Sequence, residues 1–184
     1  MKLRATLFTA LLVFQAGLVV TGGAVRLTGA GLGCPTWPEC VEGSIAPTSA
    51  QTESWHKYVE FGNRLLTFVL LVVALVTIVA IVKLNKRRSQ AGLAKRRSLT
   101  ALALGSLAGI FAQAILGGIT VLTGLHPLTV AAHFMLSIGL ITVAQHLLTK
   151  ASEPEGLPIT TQVVSPIHVA MKMHVWLALL VVFI

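Results

Sequence analysis

The sequence predicts an all-α fold, a polytopic bundle of transmembrane helices with four complete helices and a truncated fifth. Three observations predict it. The 184-residue chain is 55% hydrophobic and only 11% charged, where soluble domains carry about 25% charged residues. Four stretches, residues 5–25, 65–82, 99–122 and 128–148, stay apolar for about the 20 residues that a helix needs to cross a bilayer. Seven of the 14 Lys and Arg residues crowd between Lys83 and Arg97. Such hydrophobicity excludes intrinsic disorder. A net charge of +8 in a soluble chain would suggest nucleic acid. Here the clustering marks a membrane-facing loop, so no nucleic-acid partner is expected and the lipid bilayer is.

Each element follows in order. Lys2 and Arg4 precede the first apolar run, which is longer than the 7–15 residues of a signal-peptide core. It therefore reads as a retained helix. The second run is the shortest, and a polar turn before it can extend it. The third and fourth are joined by a short connection, residues 123–127. A linker at 151–173 carries Pro154, Pro158 and Pro166. A fifth apolar run starts near Val175 and stops at Ile184, too short to span, so 174–184 reads as the start of a fifth helix in a longer natural protein. The positive-inside rule puts the N-terminus, the 83–97 loop and the linker in the cytoplasm, and Cys34 and Cys40 outside. The basic loop is read as an anchor to anionic headgroups.

Ionisable and polar groups near a bilayer are costly, so each is a functional candidate. His56, Glu60, Asn63, Arg64 and Thr67 share one helical stripe. Gln15, Gly22 and Arg26 lie on the first helix, and Gln113, Gly117, Thr120 and Gly124 on the third. His133 and Ser137 lie a turn apart on the fourth. All fall in the outer half and would line one pocket. His133 is either an axial ligand to heme iron or a histidine bonded within the bundle. Glu60 and Arg64 are either a surface ion pair or a carboxylate at the pocket mouth that moves protons. His126 and His146 read as interfacial, and so do His168 and His174. Gly22-Gly23-x-x-x-Leu27-Thr28-Gly29 recurs as Gly117-Gly118-x-x-x-Leu122-Thr123-Gly124. The repeat relates helix pairs one–two and three–four. Its glycines admit either a close helix or a flat ligand. Outside the cytoplasm Cys34 and Cys40 should be oxidised, as a staple or as a redox-active pair.

Together these residues resemble the N-terminal half of the heme A synthase family. That family's first external loop has the form Gly-x-Gly-x-x-Cys-Pro-x-Trp-Pro-x-Cys. Here it reads Gly29-Ala30-Gly31-Leu32-Gly33-Cys34-Pro35-Thr36-Trp37-Pro38-Glu39-Cys40. Val130-Ala131-Ala132-His133-Phe134 matches the family's fourth helix. Glu60-Phe61-Gly62-Asn63-Arg64 matches its Glu-x-x-His-Arg except that Asn63 replaces the histidine, and Thr36 replaces an acidic residue common in the loop.

The resemblance implies a heme-dependent oxidoreductase of the bacterial plasma membrane. It would convert a methyl group of heme O to formyl, giving heme A for terminal oxidases. The family has eight helices in two pseudo-symmetric halves, with two histidine ligands in each. Residues 1–150 would form the half that holds substrate heme, and the absent C-terminal half would hold heme b. His133 would ligate iron; with Asn63 standing where the family has a histidine, the site would be five-coordinate or another group would contribute, with His56 as the substitute. Glu60 would assist proton movement, and Arg26 or Arg64 would pair with heme propionates. Cys34 and Cys40 would form a structural or electron-delivering disulfide. Heme O synthase and the terminal-oxidase assembly machinery are the implied partners, with an electron donor left unidentified. Two alternatives stay open: a non-enzymatic heme-binding or electron-transfer module, and a thiol–disulfide membrane oxidoreductase. The latter usually relays electrons through a second cysteine pair, which this sequence lacks.

Overall fold

The structure, a computed structural model, describes residues 2–49, 51 and 55–152. The predicted linker beyond Ser152 and the start of the fifth helix lie outside them, with His168 and His174. The described chain is helical, as expected: α1 (Lys2–Leu27), α2 (His56–Gln90), α3 (Arg97–Leu122) and α4 (Pro127–Ser152). A single 3-10 turn, Ala30–Leu32, interrupts the α1–α2 loop.

Each helix ends where its sequence stops supporting it. Gly29, Gly92 and Gly124 follow α1, α2 and α3 in the left-handed conformation (φ 71°, 69° and 62°), the usual way to close a helix. Pro127 opens α4, where its missing N–H costs nothing. All four helices are long and apolar enough to cross a membrane. The 35 residues of α2 reach about 52 Å, well beyond a hydrocarbon core of about 30 Å. Both its ends therefore stand clear of the apolar layer. The shortest apolar run thus belongs to the longest helix, because the His56–Arg64 polar stripe continues it.

The helices pack in a ring, α1 on α2, α2 on α3, α3 on α4 and α4 on α1. Toward the basic α2–α3 turn the interior is mostly aliphatic: Phe8, Leu11, Leu70, Ala74, Ile81, Leu99, Ala103, Ile110, Ala144 and Leu147 form one buried cluster, and the polar Thr77 and Ser106 are buried in the same half. Toward the 28–55 loop the buried residues turn polar, with Lys57, Glu60, Thr120 and Ser137. Large apolar side chains point outward around the middle, among them Val20, Phe68, Val72, Phe111 and Ile115. Water would not tolerate that belt, whereas lipid covers it, and the helices satisfy their own backbone groups within it. The chain is a multi-pass membrane protein.

Candidate functional site

The end away from the basic α2–α3 turn is closed by a loop that the disulfide and the Glu60–Arg64 pair organise. Cys34 and Cys40 are bonded, and both are fully buried. The ring they close contains a cis Trp37–Pro38 bond. Glu60 reaches out of α2 into this ring: its Oε2 accepts the Cys34 N–H (2.8 Å) and its Oε1 accepts Arg64 Nε (3.2 Å) and Nη2 (2.6 Å). Arg64 then donates to the carbonyls of Cys34 (2.7 Å), Thr36 (3.0 Å) and Glu39 (3.0 Å). All five N–H donors of the guanidinium are thereby matched. The pair is well sheltered, with Glu60 6% and Arg64 19% exposed, so it is neither the surface pair of one reading nor an open charge.

Two further contacts seat the loop. Gly33 lies so close to the first turn of α2 that an added Cβ would sit 2.7 Å from the backbone of His56 and Lys57. Lys57, buried, donates from Nζ to the carbonyls of Thr48 (2.8 Å) and Gln51 (3.4 Å). On the other side, the Trp37 indole covers Gly118 of α3, where an added Cβ would meet the ring at 2.5 Å. The loop thus bridges α2 and α3 across the mouth of the bundle.

Below the loop lies the interior part of the site. The His133 ring rests on Gly117, with Cε1 3.1 Å from where a Cβ would be. Gln113 Nε2 donates to the His133 carbonyl (2.9 Å) and to Ser137 Oγ, and Ser137 donates to the same carbonyl (3.0 Å). Among the described residues, His133 Nδ1 and Gln113 Oε1 are buried without a hydrogen-bond partner, as are Gln15 Oε1 and Ser106 Oγ. In a bilayer an unsatisfied polar atom costs several kcal/mol, so such groups point to a ligand. Among the described residues no three His, Cys, Asp or Glu side chains converge on a possible metal site. His133 is thus a single imidazole in the interior, a donor of the kind that suits heme iron.

The sequence repeat is also a structural one. Gly22 faces Asn63 of α2, as Gly117 faces His133 of α4. Thr28 and Thr123 each bond the carbonyl four residues back. Thr67 donates to the Asn63 carbonyl (3.4 Å) as Ser137 does to that of His133. Leu70 and Ala74 are buried at the same steps beyond Asn63 as Leu140 and Ala144 beyond His133. Asn63 is the positional counterpart of His133, and its Oδ1 accepts a hydrogen bond from Thr21 (2.6 Å).

The predicted site residues therefore divide. Asn63 and His133 occupy matching interior positions. Glu60 and Arg64 hold the loop, with Cys34 and Cys40 inside it. His56 opens α2 at the mouth, its ring 4.3 Å from that of Trp55. Arg26 is exposed in the last turn of α1, its guanidinium unpartnered among the described residues. Thr120 bonds the Leu116 carbonyl in its own helix. Sequence reasoning missed the burial of Lys57 and the seating of Trp37 on Gly118. The second had a signal, the glycine pair of the repeat, but the first had none.

Comparison with known proteins fits this architecture. The family model described as cytochrome oxidase assembly protein, COX15-CtaA, matches residues 4–184. A heme A synthase from Bacillus pumilus (strain SAFR-032) is 29% identical over 176 residues, covering 95% of this chain and 53% of the relative. One from Listeria monocytogenes serovar 1/2a is 32% identical over 155 residues, covering 84% of this chain and 46% of the relative. One from Geobacillus thermodenitrificans is 27% identical over 153 residues, covering 82% and 43%. The chain spans about half the length of the curated relatives it matches. No solved structure matches it. The chain belongs to the COX15-CtaA family of cytochrome oxidase assembly proteins.

Proposed function

We propose that this chain forms the substrate-heme half of a heme A synthase, which oxidises a methyl group of heme O to formyl for terminal-oxidase assembly. The observation that carries the reading is His133, an imidazole inside the bundle with a buried, unpartnered Nδ1 and a glycine surface beneath its ring. The donor set suits a heme. His133 would supply a nitrogen ligand, with Gly117 beneath its ring and Gly22 at the matching place beside Asn63. The orphaned Gln15 and Gln113 oxygens offer acceptors to polar groups at the same depth. Bound heme iron would supply the redox chemistry, with a heme b and an electron carrier outside this chain completing the electron path.

The chain's own residues position and seal. Arg64 and Glu60 fix the disulfide ring over the mouth and limit water entry. Both Glu60 oxygens are engaged, so proton movement through Glu60 would begin with release of Cys34 N–H or Arg64. Arg26 has a free guanidinium for a propionate, and His56 stands at the mouth. Asn63 lacks a good iron donor, so His133 would bind on one side only. Both cysteines are fully buried, which favours a staple over thiol exchange, since exchange needs access to sulfur. The basic end would face the cytoplasm of a bacterial plasma membrane, with the disulfide loop outside.

Heme extraction and chromatography, after purification from cells supplied with heme O, tests the reading. Wild type is expected to carry heme O or its oxidised products, and His133→Ala to lose at least about tenfold of that heme, since losing only a partner of a ligand already costs that much. Unchanged heme content in His133→Ala would remove the ligand assignment. Heme b alone in the wild type would favour the electron-transfer module.

A further inference from the structure

A second site lies at the opposite end of the molecule from the heme-side residues. Between α2 and α3, beside the basic turn, is an open cleft of about 690 Å³. Its rim carries Lys86, Lys95 and Arg97, with Asn85, Ser89 and Thr100 between them, and its floor is Val82, Ala101 and Leu104. Val82 and Leu104 are half exposed on the same belt that faces lipid. We propose that this cleft binds one anionic phospholipid, its phosphate among Lys86, Lys95 and Arg97 and the start of an acyl chain on Val82 and Leu104.

Three observations support it. The cationic side chains of this turn have separate tasks. Arg88 Nε donates to the Ala94 carbonyl (2.7 Å), and the Arg96 guanidinium donates to the Lys150 carbonyl of α4, so these two hold the turn in place. The side chains of Lys86, Lys95 and Arg97 have no hydrogen bond or ion pair with any described residue and stand at the cleft instead. Second, residues 83–97 contain no Asp or Glu, so nothing within the turn neutralises them. A basic cleft between transmembrane helices at the headgroup level attracts anionic headgroups. Third, the cleft is a fixed shape. Asn85 ties α2 to α3, donating to Thr100 Oγ1 (3.0 Å) and accepting from the Arg96 backbone N–H (2.8 Å). A free phosphate would satisfy the rim and leave the apolar floor uncovered, which is why the occupant is assigned as a lipid.

Native mass spectrometry of the full chain in detergent, titrated with phosphatidylglycerol or phosphatidylcholine, tests this. One phosphatidylglycerol should be retained in clear preference to phosphatidylcholine. The double variant Lys86→Gln/Arg97→Gln should bind phosphatidylglycerol roughly 30-fold more weakly. The control Lys83→Gln/Arg87→Gln loses the same charge away from the cleft and should stay within about threefold of wild type. Leu104→Asn should weaken lipid binding several-fold with all cations intact. Lys83, Lys86, Arg87, Arg97 and Leu104 are all exposed, so the variants should fold. Equal losses in the two double variants, or equal retention of both lipids by wild type, would overturn the proposal. So would displacement of the lipid by equimolar glycerol phosphate, which would make the cleft a site for free anions.

Discussion

Arg64 carries more hydrogen bonds than any other side chain described, and its partners are mostly backbone carbonyls of an irregular loop. Lysine has three donors on a single nitrogen and no planar fork, so it cannot serve Glu60 and three separated carbonyls together. Arg64→Lys keeps the charge beside Glu60 but strands loop carbonyls, so it should lower stability by roughly 1–3 kcal/mol, the range for acceptors left unsatisfied in a sheltered place. Glu60→Gln should be nearly as costly. Both carboxylate oxygens accept from N–H groups, so the glutamine NH2 must face a donor. Arg26→Lys, with no protein partner to lose, should stay within about 0.5 kcal/mol. Thermal unfolding in detergent measures all three. Equal midpoints for Arg64→Lys and Arg26→Lys would show that the loop does not depend on this guanidinium.

The repeated glycine pairs separate two demands that look the same in sequence. Gly23 and Gly118 hold the same place in their repeats, but a Cβ on Gly23 meets nothing within 4 Å, while one on Gly118 strikes the Trp37 ring. Gly23→Ala should be neutral or stabilise α1 by up to about 1 kcal/mol through helix propensity. Gly118→Ala should cost about 1–3 kcal/mol, because the indole must leave α3 or α3 must move. Tryptophan emission offers a second readout, since a displaced Trp37 changes its surroundings in Gly118→Ala but not in Gly23→Ala. If both alanine variants behave alike, the loop does not rest on α3. The two pairs also show how one packing device serves two helices: Gly22 and Gly117 face interior polar residues, and only the second pair has the Trp37 ring on it.

At the scale of the whole molecule, the fold was legible because lipid imposes a simple rule. Apolar runs of bilayer length become helices, and the four runs became four helices. The disulfide was legible too, from its loop motif. The pairing of Gly22 with Asn63 and of Gly117 with His133 follows from the repeat once the helices are packed. The direction in which Glu60, Arg64 and Lys57 point was not legible. Helical spacing assigns a side chain to a face, but carbonyl acceptors in an irregular loop leave no sequence signature. The same limit applies to orientation, which charge predicts and packing does not reveal. The prediction is open to a direct test because the native cysteines are paired and fully buried, so they should be silent to thiol reagents. Ala46→Cys sits in the exposed disulfide loop and Ala91→Cys in the exposed basic turn. In intact cells a membrane-impermeant maleimide should label Ala46→Cys and leave Ala91→Cys unlabelled until the membrane is permeabilised. The opposite pattern would put the disulfide loop in the cytoplasm, where reducing thiols oppose such a bond. It would also turn the His133 side of the bundle and the Lys86 cleft toward the opposite membrane surfaces.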